Sequence, residues 1–189
     1  MNLLSLDEMQ RRLLEQYEAF DREIAELNMK DSSLSESDLI TALNIQLPES
    51  FKKLILKYDF GELNIGGVFW GQKGNYIEFL KSSNMPGASP AWWGQGVRPQ
   101  NHLMIAGTDG YVLLLDILNG NIVAYLRTEN WTENRRIADT FKQLVCGAGT
   151  IHFNRRICKD KKALGKKVAR KCGVDVYIKF WEELAQGIT

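Results

Sequence analysis

Histidine is scarce in this chain. His102 and His152 are the only two among 189 residues, and each is flanked by aliphatic residues rather than by partners for acid–base work. Cysteine is nearly as rare: Cys146, Cys158 and Cys172 are far apart, and no CxxC occurs. That spacing supports neither a zinc knuckle nor a redox pair, so three inert thiols in a reducing compartment are expected. No helix pattern offers His, Cys, Asp and Glu at ligand spacing, and no metal is expected. GGVFWGQKGN is glycine-rich but lacks the GxxxxGKS/T order of a phosphate loop, GxGxxG is absent, and no cofactor is expected. Long apolar runs are missing too, since nothing approaches the roughly 20 residues of a membrane helix. MNLLSLDEMQRR places acids early and does not read as a signal peptide, which makes the cytoplasm the expected location.

One pair comes close to chemistry. His152 follows Cys146 by six residues, but Val145-Cys146-Gly147 reads as the end of an amphipathic helix. A nucleophilic thiolate needs an electropositive, partly exposed setting and an orienting third group. Asp109 and Asp116 read as a turn residue and a strand end. No catalytic residue is assigned, and an enzyme is not expected.

What the chain does have is ordinary globular material, with 44% apolar and 25% charged residues. Its net charge of +1 conceals an asymmetry. Met1 to Ser50 holds eleven acids against four bases, and Asn154 to Lys171 nine bases against one acid, Asp160. Segments of opposite charge suggest charge-guided contacts, with each other or with a partner.

Periodicity sorts the chain into three parts: an acidic amphipathic helix in 1–32, an α+β domain in 33–150, and a basic, helical extension in 151–189. Ser5-Leu-Asp-Glu8 has the form of a capping box, and apolar residues then recur at helical steps from Leu6 to Met29. Ser35 to Asp38 caps a short second helix to Leu43. Pro48-Glu49 opens a third, with Phe51, Leu54, Ile55 and Tyr58 on one face. Val68 to Trp70 and Tyr76 to Leu80 read as two strands, or as a strand and a short turn of helix. Lys81 to Asn101 is a long Gly/Pro/Ser loop of the kind that is usually functional or mobile. Strands follow near Leu103–Ala106, Tyr111–Asp116 and Ile122–Leu126, joined at Asp109-Gly110 and Asn119-Gly120, where positive φ suits a tight turn. Thr132 to Val145 reads as a helix, Lys159 to Lys171 as a basic helix weakened by Gly165, and Phe180 to Leu184 as a closing turn of helix.

Trp92-Trp93 is the leading binding candidate: one indole is expected to pack while the other stays near the surface as an interface anchor, against the reading that both clamp the loop to the sheet. Trp70, Tyr111 and the acids Glu15, Glu18 and Glu26 complete the candidate partner-binding set. Lys161, Lys162, Lys166, Lys167 and Arg170 could instead grip nucleic acid through counterion release. A net charge near zero and the lack of aromatic platforms in this stretch argue against nucleic acid as the partner.

Three stretches carry a resemblance. LPESFKKLILKYDFGEL (Leu47 to Leu63), HLMIAGTDGYVLLLDILNGNIVAYL (His102 to Leu126) and ADTFKQLV (Ala138 to Val145) are similar to the opening helix, central hairpins and closing helix of the SUKH superfamily (SMI/KNR-like). That group comprises bacterial toxin-immunity proteins related to fungal cell-wall-assembly regulators. The likeness covers Ser33 to Gly149, with Asp59-Phe60-Gly61 standing where Asn-Gly is usual. It implies an α+β fold with a mainly antiparallel sheet flanked by N-terminal and C-terminal helices. It implies no catalytic residues, and a cytosolic protein that binds and neutralises a cognate polymorphic toxin, many of which attack nucleic acid. The acidic N-terminal region would then imitate phosphate to a basic nuclease. The alternative is a nucleic-acid-binding or regulatory adaptor that uses the basic tail.

Overall fold

Two-residue alternation organises the centre of the protein. In the computed structural model, which describes residues 1–17, 30–31, 45–71 and 75–188 together with 35, 37 and 41, strand β6 (Tyr111–Asp116) is buried from Tyr111 to Leu115. Tyr111, Leu113 and Leu115 enter the main core, while Val112 and Leu114 enter a second cluster on the opposite face. A strand covered on both sides needs apolar residues at every position, hence YVLLL.

Around β6 the sheet is a plain antiparallel meander. Strands β3 (Asn64–Ile65), β4 (Val68–Phe69), β5 (His102–Gly107), β6, β7 (Ile122–Leu126) and β8 (Arg135–Ala138) lie side by side in chain order. Between β5 and β6 the register shifts from Met104↔Leu114 to Ala106↔Leu113, so Ile105 is the extra residue of a bulge. Gly120 takes φ +79 in the β6–β7 turn, as its position suggests. Gly110 does not: Thr108 closes that turn instead, its Oγ1 accepting from the Tyr111 amide at 2.9 Å. A separate two-residue ladder joins β1 (Lys30–Asp31) to β2 (Tyr58–Asp59).

Helices cover the inner face. Helix α1 (Leu6–Tyr17) buries Leu6, Met9 and Leu13, and the Glu8 amide donates to Ser5 Oγ at 3.2 Å. The remainder of the long N-terminal helix expected to Met29, and most of the short helix after Ser35, lie outside the described residues. Helix α2 (Glu49–Lys57) inserts Phe51 and Ile55. Helix α3 (Tyr76–Asn84) settles the Tyr76–Leu80 ambiguity as helix and takes the first residues of the expected loop.

The expected helix over Thr132–Val145 is corrected. Trp131–Glu133 form a 3-10 turn, β8 pairs with β7 with Ile137 and Ala138 buried, and helix α4 (Phe141–Asn154) starts only after Thr140, whose Oγ1 accepts from the Gln143 amide at 3.2 Å. Pairing with β7 overrides the local helical pattern. Cys146 is therefore mid-helix. Helix α4 is buried continuously from Leu144 to Ile151, as expected of a helix with neighbours all round. Gly147 and Gly149 let those neighbours approach: a Cβ there would lie 2.5 Å from Trp181 and from Met9 respectively.

Helix α4 runs through residue 150, and the chain beyond it joins the same core. Helices α5 (Lys161–Lys171) and α6 (Lys179–Gln186) contribute Leu164, Val168, Phe180, Trp181 and Leu184, so the segment after 150 is part of one packing unit with the sheet. At the outer side of β8, Trp181 Nε1 donates to the Ile137 carbonyl at 2.7 Å, and the Asp139 amide donates to Cys172 O at 3.0 Å. Residues 174–178 form neither strand nor helix.

Candidate functional site

The outer face of the sheet presents Met104 from β5, Val112 and Leu114 from β6, and Val123 and Tyr125 from β7. Helices cover the other side, so another element must shield this one. Residues 85–101 do so as a strap. Trp92 and Trp93 lie at 5.4 Å and 87° to each other, and Trp131 meets Trp92 at 6.1 Å and 86°. These edge-to-face contacts let both indoles share one apolar floor.

Hydrogen bonds fix the strap. Tyr125 Oη donates to the Trp92 carbonyl at 2.5 Å, and Trp92 Nε1 donates to Asn84 Oδ1 at 3.0 Å. Asn84 Oδ1 also accepts from the Met104 amide at 2.7 Å, while Nδ2 donates to Leu80 O at 2.7 Å and Met104 O at 2.9 Å. At the far end, Arg98 donates to His102 O at 2.8 Å, and the Ile117 amide donates to Asn101 O at 2.9 Å.

This arrangement corrects the aromatic anchors. Trp92 and Trp93 are only 7% and 8% exposed, so both clamp the loop and neither stands at the surface. Trp70 and Tyr111 are core residues, with Tyr111 Oη donating to Glu183 of α6. Little of either indole, and almost nothing of Trp70 or Tyr111, reaches the surface.

Accessible apolar surface occurs beside the strap instead. Val97 is 87% exposed near its end, and Leu118 is 81% exposed at the β6–β7 turn. The Asn101–Ile117 bond draws these segments together. Between that turn and the entry to α2 lies a shallow cleft of about 510 Å³, lined by Ile45, Leu47, Pro48, Gln100, Ile117 and Leu118. Sequence reading missed it. The available signal was an aliphatic residue on a turn otherwise made of Asn119-Gly120-Asn121, and a valine between Gly96 and Arg98.

The acidic candidates divide. Glu15 is exposed and paired with Arg11; Glu8 sits 2.8 Å from Arg11 and 2.7 Å from Arg12, whose guanidinium groups hold its carboxyl down to about 2. Glu18 and Glu26 lie outside the described residues. The basic candidates Lys161, Lys162, Lys166, Lys167 and Arg170 are all exposed on α5. Helix α5 packs on α4 and α6, with Lys166 Nζ 3.7 Å from Glu182 of α6.

Cys146 and His152 form no dyad. Six residues along an α-helix leave them about 120° apart around its axis. Burial pushes the Cys146 thiol up to about 11 and, with Arg155 and Arg156, pulls His152 down to about 4. His152 Nδ1 instead accepts from the Gly66 amide at 3.3 Å. His102 Nδ1 is buried without a hydrogen-bond partner, its ring 5.6 Å from Trp131. Among the described residues no three His, Cys, Asp or Glu side chains gather to hold a metal ion, and no helix is long and apolar enough to cross a membrane.

Taken together, the meander, its inner helices and its strap define an α+β domain built on a six-stranded antiparallel sheet. The chain belongs to the SMI1/KNR4 family (SUKH-1), whose model matches residues 36–147, from the segment before α2 to the middle of α4. No curated protein and no solved structure gives a match.

Proposed function

We propose that this protein is a non-enzymatic binding module, an immunity protein that neutralises a cognate toxin in the cytoplasm by covering it. Membership of the SMI1/KNR4 family supports a protein partner. The observation that carries the reading is the exposed Leu118 lining the cleft at Ile45–Glu49, with the exposed Val97 on the strap whose far end is bonded to Ile117. Interfaces place apolar anchors in such settings, ringed by polar groups that set orientation and encounter rate. Phosphate mimicry by the acidic N-terminal segment is the weaker element, because Glu8 and Glu15 are already paired with arginines of their own helix.

Co-expression provides the test. The full chain should restore growth to cells producing a toxin encoded beside it, and V97D/L118D should abolish rescue while thermal unfolding stays within a few degrees of the parent. Rescue by neither protein would refute the immunity reading. Equal rescue by both would move the interface elsewhere.

A further inference from the structure

Overall neutrality argues against nucleic acid as a partner, yet nine of the basic residues are concentrated between Asn154 and Lys171, most of them on helix α5. Among the described residues, Glu8 and Glu15 pair with arginines of α1, and α5 makes one ion pair, the 3.7 Å contact between Lys166 and Glu182. Asp160, the single acid between Asn154 and Lys171, has its carboxylate engaged as the helix cap, accepting from the Ala163 amide at 2.9 Å.

The helix is split cleanly between two environments. Leu164, Gly165, Val168 and Ala169 face the core. On the opposite side Lys162, Lys166 and Arg170 recur every fourth residue, a step of about 6 Å, with Lys167 alongside. At the start of α5 the same surface continues into a shallow cleft of about 420 Å³, where Lys161 meets Arg155, Arg156 and the end of α6. Eleven residues of helix span about 16 Å, and duplex nucleic acid presents one charge per about 1.7 Å of axis.

Two features choose among polyanions. Lysine is depleted in protein–protein interfaces, and the exposed apolar residues Ile157 and Val176 stand beyond the two ends of the helix rather than within its charged face. No aromatic residue lies between Arg155 and Lys171 to stack on unpaired bases. We infer that the exposed face of α5, with the Arg155–Arg156 cleft at its start, binds the phosphate backbone of duplex nucleic acid without regard to sequence. This surface is separate from the Val97–Leu118 surface and does not depend on it.

Fluorescence anisotropy of the full chain tests this with labelled short duplexes of DNA and of RNA, a single strand and a glutamate-rich peptide of equal length. A duplex should bind in the micromolar range and weaken steeply from about 50 to 200 mM salt. K162A/K166A/R170A, which alters only exposed side chains, should weaken binding at least about tenfold at low salt and flatten the log–log salt slope by about 2 to 3. Comparison of the two duplexes identifies which form is preferred. Absence of duplex binding, indifference to the triple substitution, or tighter binding of the peptide or the single strand would each overturn the inference.

Discussion

Asn84 uses every hydrogen-bonding position it has: two carbonyls receive its amide hydrogens, and its oxygen receives the Met104 amide and the Trp92 indole. Asn84→Ala would leave those buried groups unmatched. The expected loss is about 3 kcal/mol, since each buried polar group without a partner costs about 1–3 kcal/mol. Urea unfolding should show the lower midpoint, and tryptophan emission should shift to the red as the strap loosens. A single sequence can flag the neighbouring Trp92-Trp93 as unusual but gives Asn84 no such mark, because its value lies in meeting β5 and the strap at once. The indoles illustrate the complementary limit: their type suggested a surface role, whereas the apolar alternate face of β6 and β7 required both as cover. Val112 and Leu114 already announced that requirement.

Helix α4 shows how an element can be read correctly in part. ADTFKQLV displays an amphipathic face, but CGAGT looks like a terminus, since glycines are weak helix formers. In the fold these small residues are the contact surface, because Trp181 and Met9 occupy the space a side chain would take. Gly147→Ala places a Cβ 2.5 Å from the Trp181 ring, and the bond from Trp181 Nε1 to Ile137 O keeps that ring from yielding. A loss of about 1–3 kcal/mol is expected despite alanine's better helix propensity, measurable as a lowered Tm. The strands were more legible than the helices. Short alternating runs between Gly and Asn turns specify hairpins locally, and β5, β6 and β7 fall within a residue or two of expectation. By contrast β8 borrows its conformation from β7, a long-range influence that RRIADT does not advertise.

At the level of the molecule, the match to the SMI1/KNR4 family ends at residue 147, yet the core does not. Phe180, Trp181 and Leu184 are buried in the same core, with Phe180 edge-on to Tyr111 at 5.3 Å. Burying such side chains contributes about 1.5–3 kcal/mol each, and five of them approach the whole stability of a small domain. A chain ending at residue 154 is therefore expected to lose its cooperative thermal transition, which calorimetry would reveal; an intact transition would make the last two helices an ornament. Composition alone could not distinguish these cases, because the lysines of α5 dominate its appearance while the stripe facing the core is only Leu164, Val168 and Ala169 with Gly165.

The two contacts on the outer side of β8 carry a consequence for how the molecules behave in a crowd. With Ile137 O held by an indole and the Asp139 amide held by Cys172 O, this margin offers a second copy little backbone to template upon. A six-stranded sheet rich in valine and leucine would otherwise invite pairing along this margin, and the indole of Trp181 occupies one of the backbone groups at which such pairing would begin.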